Sequence, residues 1–359
     1  METKWMRVAA ALDDPEELRN DPAILEAADF LRRGEAVAFP TETVYGLGAN
    51  ALDPAAVDKI YFAKGRPGDN PLIVHIAERR QVDDLAEEIF PAAARLMEAF
   101  WPGPLTVILP AADRVPRRTT GGLDTVAIRM PAHPVAAAIL RVAGIPVAAP
   151  SANRSGRPSP TTAKDVWEDL AGRIPLLVDG GPAGIGVEST IIGWPQGRPV
   201  ILRPGGISPE ELQDVLGEPV ELDDSWKASV DRPLAPGMKY RHYAPKGQLY
   251  LLRGDLDAAR AEIVRRATAD HAAGRRVGVL TTAEGQGVYP AFCAVVACGT
   301  RRDLATVAAG LYSALRSFDH LGCEVMYAEP FPPEGIGWAV LNRLIKAAGH
   351  RVIQVHGAT

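Results

Sequence analysis

The sequence predicts an α/β protein of two domains: a larger N-terminal one, and a smaller C-terminal one built on a parallel sheet with covering helices. Three observations carry this. The chain has 359 residues, past the roughly 250–300 at which single cores stop growing. Short apolar runs bounded by Gly and Pro alternate with segments of helical spacing in both halves. Between 217 and 246 the composition turns acidic, proline-rich and aperiodic, as in a linker. The expected division is therefore 1–216, a linker at 217–246, and 247–359.

Composition bounds the function. Apolar residues make up 47% and charged residues 23%, an ordinary soluble balance. No apolar run approaches the ~20 residues of a membrane span, and the N-terminus lacks the pattern of a secretory signal. Three cysteines, Cys293, Cys298 and Cys323, fit neither a disulfide framework nor a zinc motif. They are expected in or near the core of a protein in the reducing cytoplasm. A net charge of −5 disfavours sustained binding to long nucleic acid but leaves room for a local basic cleft.

Asp21-Pro22 opens a helix with Ile24, Leu25, Ala28 and Leu31 on its apolar face and Gly34 at its close. A strand over 36–39 stops at Pro40, and the hydroxyls of Thr41, Thr43 and Tyr45 follow at once. Gly46 and Gly48 suggest a tight turn. Asp53-Pro54 has the form of an N-cap with proline at the first helical position. That helix delivers Lys64 and Arg66 just past its end, at a hinge on Gly65. Asn70 and a strand over 72–74, ending at His75, come next. Helices are expected around 82–89 and over 91–100, then a stiff WPGP corner and a buried strand to Leu109.

The strand over 125–130 places Arg129 either on the surface or at the strand's end, where open α/β sheets bind ligands. After a helix over 135–142, a short strand over 145–149 runs into PSANRSGRPSPTT (150–162). This loop is rich in hydroxyls; Ser151, Asn153, Ser155 and Ser159 can donate to phosphate oxygens. A helix over 163–170 and a strand over 175–178 lead to the glycines 180, 181, 184 and 186. These match neither a dinucleotide fingerprint nor a Walker A loop. Ser189-Thr190 begins another strand; a further one over 200–202 ends at Arg203, and Ser208 opens a capping box. The linker carries Lys239, Tyr240, Arg241, His242 and Tyr243 in a row, unusual in a passive tether. Strands over 249–252, 276–280, 293–297, 324–327 and 352–355 alternate with helices over 256–273, 304–318 and 338–347 in the last domain.

Lys64, Arg66, Arg129 and Arg203 with many neutral donors suit a polyphosphate and a carboxylate. No protein nucleophile stands out, since Ser151 lacks a neighbouring His and elbow glycines. Catalysis by positioning and charge stabilisation is the natural scheme.

The run PTETVYGLG, then KGRP with NPL, then Ser151-Ala152-Asn153, resembles the YrdC-type threonylcarbamoyl-AMP synthases. The signature tetrad of that family falls on Lys64, Arg66, Ser151 and Asn153 without departure. The resemblance covers roughly 21–206, and the PGMKYRHYAP segment with the domain after it resembles the long, two-domain form. It implies a YrdC-like open twisted α/β sheet around a positive concavity, followed by a smaller Rossmann-like parallel α/β domain. It also implies the reaction of L-threonine, bicarbonate and ATP to threonylcarbamoyl-adenylate, pyrophosphate and water, the first step of a tRNA modification beside the anticodon. By motif, Arg66, Asn70, Thr125, Ser151, Ser159 and Arg203 go to ATP. Thr41, Thr43, His75, Arg129, the Ala149 backbone and Ser189 go to threonine. Tyr240, His242 and Tyr243 become candidates for a lid over the site. Mg²⁺ is expected to arrive with ATP, with no metal site or prosthetic group of the chain's own. The product is expected to pass to a tRNA threonylcarbamoyl transferase, without stable tRNA binding by this chain. Two other readings stand beside this one: an RNA-binding factor without chemistry, and a carbamoyl-adenylate domain like that of hydrogenase-maturation carbamoyltransferases.

Overall fold

The computed structural model describes residues 1–8, 15–223 and 243–357, and they fall into two compact units. One comprises the described residues within 1–155 and 159–239; the other comprises those within 156–158 and 240–359.

The first unit is built on eleven strands. In chain order they are β1 (Lys4–Arg7), β2 (Val37–Phe39), β3 (Gly46–Asn50), β4 (Ile73–His75), β5 (Leu105–Pro110), β6 (Thr125–Arg129), β7 (Val147–Ala148), β8 (Leu176–Asp179), β9 (Thr190–Gly193), β10 (Val200–Arg203) and β11 (Glu221–Leu222). They lie side by side as β1-β8-β2-β3-β7-β4-β6-β5-β9-β10-β11 in one mixed sheet. Its helices are α1 (Pro15–Leu18), α2 (Pro22–Arg32), α3 (Pro54–Lys64), α4 (Pro91–Phe100), α5 (Arg117–Thr120), α6 (Pro134–Ala143), α7 (Ala163–Leu170) and α8 (Pro209–Leu216).

Local chemistry accounts for the boundaries. Asp21 and Asp53 cap the backbone N–H groups of Ala23 and Ala55, each with proline next. Ser208 and Glu211 close the expected capping box on α8. Alternation along the strands separates two faces. Val74, Val107, Val126, Ile128, Ile192 and Ile201 point into the main core. Ile73, Ile108, Ala127, Ile191 and Leu202 form a smaller apolar floor on the other face. Each fully buried side chain of this size contributes roughly 1.5–3 kcal/mol.

Several expectations need correction. Gly46 and Gly48 make no turn. They lie in β3, which pairs antiparallel with β2 so that Val37 faces Gly48 and Phe39 faces Gly46. The turn is the loop 40–45, where Thr41 closes on Val44. Gly48 is there for space, since a Cβ would stand 2.6 Å from both the Phe39 ring and Val147. The helix expected at 82–89 is a 3-10 turn over Arg79–Asp84, because Ala86 bridges to Ala111 and Glu87 donates to Pro110. Leu25 is exposed on α2. Lys64 belongs to α3 as its last residue, and Gly65 ends the helix at φ 61°. β1 and α1 went unforeseen. Glu221–Leu222, inside the stretch assigned to the linker, adds a strand parallel to β10.

The second unit holds β12 (Gln248–Gly254), α9 (Leu256–Ala272), β13 (Val277–Thr281), β14 (Ala294–Ala297), α10 (Leu304–His320), β15 (Val325–Ala328), α11 (Gly337–Ala347) and β16 (Val352–Val355). All its strands are parallel, in the order β14-β13-β15-β12-β16. α9 covers the face of Tyr250, Leu252, Val277, Val279 and Tyr327. α10 packs on the opposite face, where its Phe318 fills the space beside Gly278. The three cysteines are buried and free.

Candidate functional site

The end of α3 and the loop after β7 make the first cluster. Lys64 Nζ donates to the carbonyls of Ser151 (2.5 Å) and Asn153 (2.7 Å), and Ser151 Oγ donates to Asn153 Oδ1 (2.5 Å). Ser155 N–H closes the loop back onto the Lys64 carbonyl. Three of the four tetrad residues are thus tied to one another. Burial pushes the Lys64 pKa well below its ordinary value, and Arg66 adds repulsion, while Asp169 and Glu188 pull the other way. Arg66 is half-buried, with Nη2 3.3 Å from the Pro71 carbonyl. Asn70 is buried, and its side-chain oxygen has no hydrogen-bond partner among the described residues.

The second cluster centres on Arg129, which is 3% exposed; the surface reading of this residue therefore fails. Its guanidinium donates to Thr43 Oγ1 (2.8 Å), Glu42 Oε1 (2.6 Å) and the Gly103 carbonyl (3.2 Å). Thr41 and Thr43 share a hydroxyl contact at 2.8 Å. Burial pushes the Glu42 carboxyl up, but Arg129 outweighs it and holds the group below its ordinary value. His75 stands opposite Arg129 in the β4–β6 register. Burial, and then Arg129, lower its pKa to about 3, so the ring is neutral at physiological pH. Its Nδ1 lies 3.2 Å from the Ile73 carbonyl, which also accepts from Ala149 N–H.

The third cluster joins the second through β5. Thr106 faces Arg129 in register and contacts Ser189 Oγ at 2.7 Å. Arg203 Nη2 donates to the Ser189 carbonyl (2.9 Å) and to its Oγ (3.2 Å). Ser159 is buried and donates to Glu188 Oε1. Thr125 lies apart, at the other end of β6, about 13 Å from Arg129 at the usual strand rise. There it faces Pro110 on β5 and lines a cavity with Ile108, Trp194 and Leu202. The Arg129 cluster therefore stands at one end of the apolar floor and the Thr125 hydroxyl at the other.

Sequence reasoning passed over Glu42, Thr106, Asp169 and Glu188. Glu42 and Glu188 each touch a motif residue in sequence, and that adjacency was the available signal. Asp169 and Thr106 gave none. Tyr240 and His242 lie outside the described residues. Tyr243 is buried in the second unit, its ring 5.3 Å from that of Tyr312 and 5.6 Å from the Arg343 guanidinium. Among the described residues no group of His, Cys, Asp and Glu is placed to hold a metal, and no helix is long and apolar enough to cross a membrane.

With this geometry in view, the chain can be set beside known proteins. The threonylcarbamoyl-AMP synthase of Bacillus subtilis (strain 168) is 54% identical over 336 residues, covering 93% of this chain and 95% of its own. This chain belongs to the threonylcarbamoyl-AMP synthase family. The synthase of Pyrococcus abyssi (strain GE5 / Orsay) is 49% identical over 329 residues, covering 92% and 95%. A family model described as telomere recombination matches residues 29–205. A second, described as threonylcarbamoyl-AMP synthase, C-terminal domain, matches 207–349. Among solved structures, P. abyssi Sua5 complexed with L-threonine superposes with a TM-score of 0.90 at 47% identity, covering 99% of this chain and 100% of that one. A doubly substituted P. abyssi Sua5 gives 0.92 at 46%, covering 99% of each. The long synthase form is thus matched across both of its parts.

Proposed function

We propose that the chain is a threonylcarbamoyl-AMP synthase, joining L-threonine, bicarbonate and ATP into threonylcarbamoyl-adenylate with release of pyrophosphate and water. The observation that carries this is the continuous row of His75 on β4, Arg129 on β6, Thr106 on β5, Ser189 just before β9 and Arg203 on β10. The Lys64–Ser151–Asn153 knot supports the same reading. A row of fixed cations and hydroxyls suits a substrate with two separate anionic ends.

In this scheme Arg129, Thr43, His75, Ser189, Thr41 and the Ala149 backbone hold threonine. Arg66, Asn70, Thr125, Ser151, Ser159 and Arg203 hold ATP. Bicarbonate dehydrates to carbon dioxide, giving the water. Threonine's amine takes up the carbon dioxide and loses a proton, forming a carbamate. A carbamate oxygen attacks the α-phosphorus; the new P–O bond forms as the bond to the β-phosphate bridge breaks, and pyrophosphate leaves. Charge builds on phosphate oxygens, which preorganised donors stabilise without reorganising. Lys64 and Asn153 border the phosphates and the carbamate. Mg²⁺ travels with the nucleotide as part of the substrate. The product passes in the cytoplasm to a transferase that modifies adenosine beside the anticodon of tRNA.

The test is pyrophosphate release from ATP with bicarbonate, adding amino acids singly. Release that requires threonine, with a threonine-linked adenylate found by mass, is expected. Release without threonine, or none with any amino acid, overturns the proposal. Arg66→Ala should lower turnover by roughly 10²–10³-fold, the scale of a lost transition-state donor, with the thermal transition unchanged. Wild-type release from that variant would remove Arg66 from the site.

A further inference from the structure

The second unit carries a crevice lined by none of the residues assigned to synthesis. Its sheet reverses between β12 and β15, which are neighbours. After β12 the chain crosses by α9 on one face. After β15 it crosses by α11, which packs with α10 on the other. A reversal of this kind opens a gap outside the carboxyl ends of the two strands, the place where open α/β sheets take ligands. Here the gap is a cavity of about 350 Å³ lined by Arg253, Gly254, Leu256, Arg301 and the run Pro330 to Pro333. That volume falls in the range of small-molecule sites.

The lining has two characters. Leu256, Pro330, Phe331 and Pro332 give apolar walls, and Phe331 lies under the Arg301 guanidinium at 5.2 Å. Arg253 and Arg301 supply positive charge. Glu329, fully buried behind the cavity, accepts from Arg301 (2.9 Å), Arg260 (2.8 Å) and Tyr289 (2.7 Å), and so fixes the Arg301 fork. Arg301 keeps one buried donor, Nε, without a hydrogen-bond partner among the described residues. Among the described residues no carboxylate pairs with Arg253. Two guanidinium groups, one without a carboxylate partner among the described residues, beside proline and phenylalanine suit an anionic group attached to a flat ring.

We propose that this crevice binds a nucleotide-sized ligand, its planar ring against Phe331 and the prolines and its anionic group on the guanidinium groups of Arg253 and Arg301. The site is separate from the one assigned to synthesis and does not depend on that assignment.

Equilibrium dialysis of the full chain with AMP tests it, with Arg253→Ala as the variant and adenosine and ribose 5-phosphate as the ring-only and anion-only probes. Arg253→Ala should lose one equivalent of bound AMP while keeping its thermal transition and its pyrophosphate release. An equivalent lost in Arg66→Ala instead belongs to the first unit's site, so the two readings fail separately. In the wild type, adenosine and ribose 5-phosphate should bind this site at least tenfold more weakly than AMP. Full retention of bound AMP by Arg253→Ala, or equal binding of ribose 5-phosphate and AMP, overturns the proposal.

Discussion

Lys64 shows what burial does to a single charge. Its ammonium is surrounded by carbonyls rather than water, and its proton is held more loosely than in solution. Between its folded value and the ordinary 10.5, the unfolded chain binds the extra proton, so the ligand-free protein gains stability as pH rises through that window. A polyphosphate beside Lys64 favours the charged form. ATP binding at a pH between the folded and ordinary values of Lys64 should therefore draw in protons, read as a dependence of the binding heat on the buffer's ionisation enthalpy. Identical heats in two buffers would contradict this. Glu42 is the reverse case, an acid that serves by neutralising. Glu42→Ala strips the buried Arg129 of its carboxylate and should cost about 3–5 kcal/mol, as breaking buried pairs does, with a raised KM for threonine. An unchanged unfolding midpoint in denaturant would refute it. At this scale the motifs pointed to Lys64, Arg66, Ser151 and Asn153; the structure bonds Lys64, Ser151 and Asn153 to one another, in a way the sequence did not display. The carbonyls that hold Lys64 belong to the backbone, which side-chain chemistry read along a sequence does not display. Glu42 was hidden because a charged residue in a loop ordinarily faces water.

At the scale of elements, the helices were the most legible part. Their limits follow from caps that act within one turn: Asp53 on Ala55, Thr162 on Asp165, Ser208 on Glu211. Strand β3 was misread because two glycines look like a turn, whereas Gly48 is there to let Phe39 and Val147 close over the backbone. Only tertiary packing distinguishes those uses. Gly48→Ala should destabilise by about 1–3 kcal/mol through overpacking, lowering the melting temperature by about 2–4 °C per kcal/mol for a unit of this size. A variant melting with the wild type would show that Phe39 moves aside freely. The 3-10 turn at 79–84 was taken for a longer helix for a related reason: its end is set by Ala86 and Glu87 pairing with a distant strand.

At the scale of the molecule, alternation of strand and helix gave the class, and the second unit's parallel sheet follows nearly residue by residue from its apolar runs. The order of the first sheet was out of reach, since β8 lies between β1 and β2 and β7 between β3 and β4, and no local signal encodes such insertions. Each unit has a core of its own. A chain ended after Asp223, which keeps β11, should fold with a cooperative transition yet turn over threonine and ATP more slowly, because the segment with Tyr240 and His242 is gone. Undiminished pyrophosphate release would make that segment a passive tether. The placement of β1 bears on the making of the protein as well as its form. Lys4 pairs with Leu176 and Arg7 with Asp179, so the outermost strand of the sheet has no partner until the ribosome has added some 170 more residues. At about 5–20 residues per second this is a wait of roughly 10–35 s. The first strand translated is among the last that can dock, and the sheet's edge closes only after much of its middle can form.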